Sequence, residues 1–151
     1  MRHVFPFFAA ILIASAETAA IACTCIALPT DAAERASLVR DVADGAVALV
    51  EVELERGYDA AQARGERLRV VTTLAGAAPA SFEVERDGTP SSASCDVEFA
   101  AGRRTVVMLY PARAAAAAGA EPKLRLADSC LTQLVGDPGF RAELAAAIRA
   151  R

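Results

Sequence analysis

Four cysteines, Cys23, Cys25, Cys95 and Cys130, carry the chemistry that spacing constrains most tightly in this chain of 151 residues. A zinc site would want ligands paired at C-x-x-C-like intervals, with histidines to complete the set. Here one C-x-C stands far from two isolated cysteines, and the single histidine is His3, near the amino terminus. A thiol-disulfide redox centre would want C-x-x-C at a strand-to-helix junction, and Cys23-Thr24-Cys25 has neither feature. An even number of cysteines in a short exported chain reads instead as a disulfide framework of two bridges, with three pairings open. No cofactor and no metal of its own are expected.

The other residues with potential chemistry are carboxylates. Glu51, Glu53 and Glu55 alternate with Val50, Val52 and Leu54, so strand geometry puts them together on one solvated face rather than in an acid-base pair. Without a histidine in the exported portion or a free thiol, the usual pairs of nucleophile and base are missing. The chain is therefore read as a non-enzyme.

Export is read from the first residues. Arg2 and His3 precede an apolar stretch from Val4 to Ala16, and Ala20-Ile21-Ala22 supplies an A-x-A cleavage signal. The apolar run is shorter than the roughly 20 residues of a membrane span. Residues 1–22 are thus expected to be a signal peptide and 23–151 one domain, with no transmembrane anchor after cleavage. Lipidation of Cys23 is the rival outcome, but the residues before it lack the leucine such sites usually carry three positions upstream. It would also leave an odd cysteine.

Cleavage removes one basic residue, Arg2, one acidic residue, Glu17, and His3, so the net charge of −3 is unchanged. No basic run exists to draw nucleic acid or an anionic membrane. The aromatics Tyr58, Phe82, Phe99, Tyr110 and Phe140 fall mostly at core-like positions, without a basic groove, so nucleic acid is not an expected partner. Abundant alanine and arginine point to a GC-rich bacterial genome, and hence to a periplasmic or secreted protein.

The elements that must position the cysteines can be read by period. Asp31 caps a helix with the apolar stripe Leu38, Val39 and Val42, and Gly45 closes it. Strands follow at 50–56, at 68–74 with Leu68, Val70, Thr72 and Leu74 on one side, and at 82–85, where Phe82 and Val84 alternate with Glu83 and Glu85. Residues 87–94 read as loop and the alanine run 114–118 as a helical turn or loop. Thr105 to Tyr110 is continuously apolar after its first residue and reads as a strand covered on both faces. Lys123 to Leu126 alternates into Cys130. Asp137-Pro138 starts a last helix whose face is Phe140, Leu144 and Ile148, with Arg149 and Arg151 at the negative end of its dipole. Five short strands with a helix near each end suit a mainly β, OB-fold-like Greek-key barrel; pattern alone does not separate this from a small sandwich.

The start Cys23-Thr24-Cys25, the block from Ser94-Cys95-Asp96-Val97-Glu98-Phe99 through Gly102-Arg103-Arg104, and Asp128-Ser129-Cys130 together resemble the netrin-like module. More closely, they resemble the amino-terminal domain of the tissue inhibitors of metalloproteinases. The resemblance spans nearly all of residues 23–151. It implies an OB-fold barrel with disulfides Cys23–Cys95 and Cys25–Cys130. It further implies that the α-amine and carbonyl of Cys23 chelate the zinc of a target protease while Thr24 enters the specificity pocket. Ser94 and Cys95 would form the adjoining contact ridge. The family's third disulfide and its carboxy-terminal domain have no counterpart here, and Ile26-Ala27-Leu28-Pro29 replaces a shorter turn. The expected partner is a zinc metalloprotease; the alternative is a non-inhibitory binding module for an envelope protein or polysaccharide.

Overall fold

A computed structural model describes residues 25, 27–62, 64–86, 95–113 and 122–151. Its elements run α1 (Ala32–Ala43), β1 (Ala48–Arg56), β2 (Arg67–Gly76), β3 (Ser81–Val84), β4 (Arg104–Pro111), β5 (Lys123–Leu126), α2 (Ser129–Leu134) and α3 (Pro138–Arg149). The strands close into a barrel in the order β1-β2-β3-β5-β4, antiparallel throughout except for β3 against β5. The mainly β architecture, the five strands and the helices near each end are as expected.

Two apolar layers follow from the alternation of the strands. Val50, Val52, Leu68, Phe82, Val84, Val107 and Leu109 point into the barrel and are fully or almost fully buried. Leu49, Ala75 and Met108 face outward, beneath Val39 and Ala43 of α1 and Phe140, Leu144 and Ile148 of α3. β4 therefore contributes to both layers, which explains its unbroken apolar run.

Both long helices begin where their capping residues lie. Asp31 Oδ1 accepts from the Ala33 and Glu34 amides at 2.9 Å each, and Asp137 Oδ1 accepts from the Phe140 amide at 2.7 Å. Just past α1, Gly45 takes a left-handed φ of 74°. The Phe140 amide, followed by the Arg35 charge, holds the Asp137 carboxyl below its ordinary pKa. A depressed folded pKa gives stability that is present above the unfolded value and lost as pH falls through the folded one. Wild type should therefore lose stability relative to Asp137→Asn as pH falls below about 4, since asparagine caps equally well but carries no charge. Urea unfolding midpoints of the two proteins across that range check this, and parallel curves would refute it.

Several expectations need correcting. The face Leu68, Val70, Thr72, Leu74 is not continuous: the β1–β2 register shifts three times, leaving Thr72 exposed and Leu74 packed in the helix-covered layer. Such bulges bend a strand pair, as closure of a barrel demands. Glu83 is not on a solvated face. It is only 8% exposed and is paired with Arg56 at 3.3 Å and Lys123 at 3.0 Å. Arg149 lies in the last turn of α3 as expected, and beyond that placement it donates to the Leu74 carbonyl while Arg151 donates to the Ala43 and Ala46 carbonyls at the end of α1. The short helix α2, capped by Asp128, was not expected. Of the two disulfides expected, one lies among the described residues, Cys25–Cys130, joining positions 105 apart. The pairing Cys23–Cys95, the region 87–94 and the alanine run 114–118 involve positions outside the described residues.

Candidate functional site

Of the residues expected to form the contact region, Cys23, Thr24 and Ser94 lie outside the described residues, while Cys95, Cys25 and Cys130 are placed. Cys25 is anchored by its disulfide to the first turn of α2. The Cys95 carbonyl accepts from the Ser129 amide at 2.8 Å, which sets Cys95 beside the residue that precedes Cys130. Three of the four cysteines are thereby gathered at the start of α2, and no described cysteine is free.

Cys95 has a φ of 57°, and among the described residues it is the single non-glycine residue with positive φ. A residue with a Cβ pays for that conformation in strain and keeps it only where its surroundings over-determine it. Those surroundings are found in the residues that follow. Asp96 Oδ1 lies 2.8 Å from Arg86 Nη1, and the Val97 carbonyl accepts from Arg86 Nη2 at 2.8 Å. Arg86 in turn grips both oxygens of Glu66, at 2.7 Å through Nε and 3.0 Å through Nη2.

Glu66 is set at the end of the β1–β2 connection, where Gly65 passes so close to β3 that an added Cβ would meet the Val84 carbonyl at 2.1 Å. The Glu66 carbonyl accepts from the Val84 amide at 2.8 Å. Backbone contact with β3 thus fixes Glu66, Glu66 fixes Arg86, and Arg86 holds the segment that follows Cys95.

Beside this segment lies a cleft of about 270 Å³ whose walls include Cys95, Asp96, Arg86, Arg113, Arg125 and Asp128. Its charges are mixed, so it does not read as an anion pocket. The Arg125 guanidinium sits 5.9 Å from the centre of the Tyr110 ring, and the Tyr110 hydroxyl donates to the Val42 carbonyl at 3.0 Å. Burial, then the Asp128 charge, pushes the Tyr110 phenol up in pKa against the opposing Arg125 charge, so Tyr110 acts as a neutral donor that ties β4 to α1.

Glu51, Glu53 and Glu55 stand on the outer face of β1 in a ladder of ion pairs, Glu53 with Arg69 and Arg104, Glu51 with Arg104, and Glu55 with Arg67. Bonding to Glu53, with the charge of Glu51, raises the pKa of Arg104. Glu51 and Glu53 are half-buried and Glu55 is exposed, and all three are engaged by arginines of the neighbouring strands. Among the described residues no group of three or more His, Cys, Asp and Glu side chains is placed to hold a metal ion, and no helix is long and apolar enough to cross a membrane.

Sequence reasoning missed Glu66 and Arg86. Glu66 falls in the Arg64-Gly65-Glu66 turn before the second strand and Arg86 lies just past the 82–85 alternation, and no local signal marks two opposite charges 20 positions apart as partners. Compared with protein-family models, with curated proteins and with solved structures, the chain gives no match in any of the three.

Proposed function

We propose that this protein is an exported inhibitor of a zinc metalloprotease that acts through its own amino terminus. On this reading residues 1–22 are removed, Cys23 becomes the first residue, and its α-amine and carbonyl form a five-membered chelate on the protease's zinc. An α-amine with pKa near 8 has a substantial neutral fraction at physiological pH, and metal binding favours loss of the proton further. Thr24 enters the specificity pocket, and Ser94 and Cys95 form the adjoining ridge. The chain itself catalyses nothing and holds no cofactor.

The observation that carries the proposal is the Cys25–Cys130 bridge, which is the pairing the family resemblance implies out of three open ones. It leaves Cys23 and Cys95 as the remaining pair. Cys95 is itself disulfide-bonded, which supports a bridge to Cys23 and hence an amino terminus tied down at two points. The barrel order supports an OB-type fold. A disulfide framework also favours an oxidising compartment, periplasmic or extracellular.

The decisive experiment compares the form starting at Cys23 with one carrying a single extra amino-terminal alanine, against a panel of zinc proteases. The added residue should weaken inhibition by about tenfold or more, a loss of at least ~1.4 kcal/mol. Inhibition indifferent to the alanine would sink the chelation mechanism, and no inhibition by either form would leave a non-inhibitory module that binds an envelope protein or polysaccharide.

A further inference from the structure

We infer that Arg86 is a positioning residue: it fixes the Cys95 segment on the barrel and thereby sets where the bridged amino terminus stands. The part of this that concerns inhibition rests on the function proposed above; the part that concerns Cys95 does not.

The Arg86 side chain is 7% exposed and that of Glu66 is 9%. Burying an ion pair desolvates both charges, and an apolar pair of similar volume is often as stable or more so. Stability alone therefore does not account for this pair. What the guanidinium offers is geometry, since its planar fork places several N–H donors in fixed directions.

One edge, Nε and Nη2, is used on Glu66, which β3 and the Gly65 close approach hold in place. The remaining directions reach Asp96 and the Val97 carbonyl, the two residues that follow Cys95. With Ser129 bonded to the Cys95 carbonyl from the other side, the strained backbone at Cys95 is held between two fixed supports. A lysine could satisfy one acceptor as a point charge but could not span all of them.

The test uses the disulfide-intact protein starting at Cys23, with Arg86→Lys and Asp96→Asn as variants. Asp96→Asn alters only the more exposed end of the cluster, so it keeps the experiment decisive if Arg86→Lys does not fold. Reduction by dithiothreitol is quenched over time, and peptide mass spectrometry reads the Cys95 thiol and the Cys25–Cys130 pair separately. In the variants the Cys95 bridge should open about tenfold faster, as local opening does when its restraints are removed. The Cys25–Cys130 bridge should open near the wild-type rate in both, and the unfolding midpoint should stay near wild type for Asp96→Asn, whereas Arg86→Lys lowers it because lysine leaves buried acceptors of the cluster unpaired.

Equal acceleration of both bridges would mean general loosening of the fold and would overturn the inference, as would no acceleration at all. Against a protease that wild type inhibits, both variants should also bind more weakly. If wild type inhibits none, the inhibitor reading fails, while selective opening at Cys95 still decides the role of Arg86.

Discussion

Replacing Cys25 and Cys130 together by serine is expected to lower the free energy of unfolding by about 4 to 5 kcal/mol, the chain-entropy value for a loop of this size. The bridge closes a separation of 105 residues, and with Cys23 and Cys95 still joined as proposed, its removal frees the unfolded chain chiefly beyond Cys95. Domains of this size have only about 5 to 15 kcal/mol in total. The variant should consequently be marginal at physiological temperature.

Urea unfolding distinguishes where the effect arises. If the bridge acts on the unfolded state, its loss should raise the denaturant slope, because a freer chain exposes more surface, as well as lower the midpoint. A loss below about 1 kcal/mol with an unchanged slope would refute the entropic account.

What was legible in the chain was whatever depends on neighbours in sequence. Asp31, Asp137 and Pro138 mark helix starts because a cap acts within three residues. Val50 and Val52 reveal the inner face of β1 because strand period is two. Phe140, Leu144 and Ile148 reveal the buried face of α3 because four residues are about one turn.

What was not legible depends on residues brought together only by folding. Glu83 reads as solvated until Arg56 and Lys123, on two other strands, are found to neutralise it. Leu74 reads as part of an inner face until register shifts place it under the helices. Helix α2 has six residues, too few to show a periodic stripe. In the candidate site the cysteine pattern was visible, but the clamp that fixes Cys95 was not, since Glu66, Arg86 and Asp96 come from three separate segments.

Phe140→Ala should cost about 3 to 5 kcal/mol, the usual range for truncating a fully buried phenylalanine. Two kinds of interaction hold α3 in place, and their magnitudes decide between them. Phe140 is completely buried in the layer between helices and barrel, together with Leu49, Ala75, Met108 and Val135. Arg35 of α1 crosses to α3 through Glu143 at 2.9 Å and Asp137 at 3.6 Å, and its guanidinium lies 5.7 Å from the Phe140 ring centre. Those carboxylates are almost half exposed, and ion pairs in such settings contribute little because water and salt screen them. Removing the ring leaves a cavity that a layer bounded by sheet and helices has little freedom to fill. Arg35→Ala should therefore lose far less stability than Phe140→Ala, and raising salt should erase most of the Arg35 effect while leaving the Phe140 effect intact. Urea unfolding of the two variants at low and high salt measures both. A larger loss for Arg35→Ala, or a salt-sensitive Phe140→Ala, would mean that α3 is held by its surface charges rather than by the core beneath it.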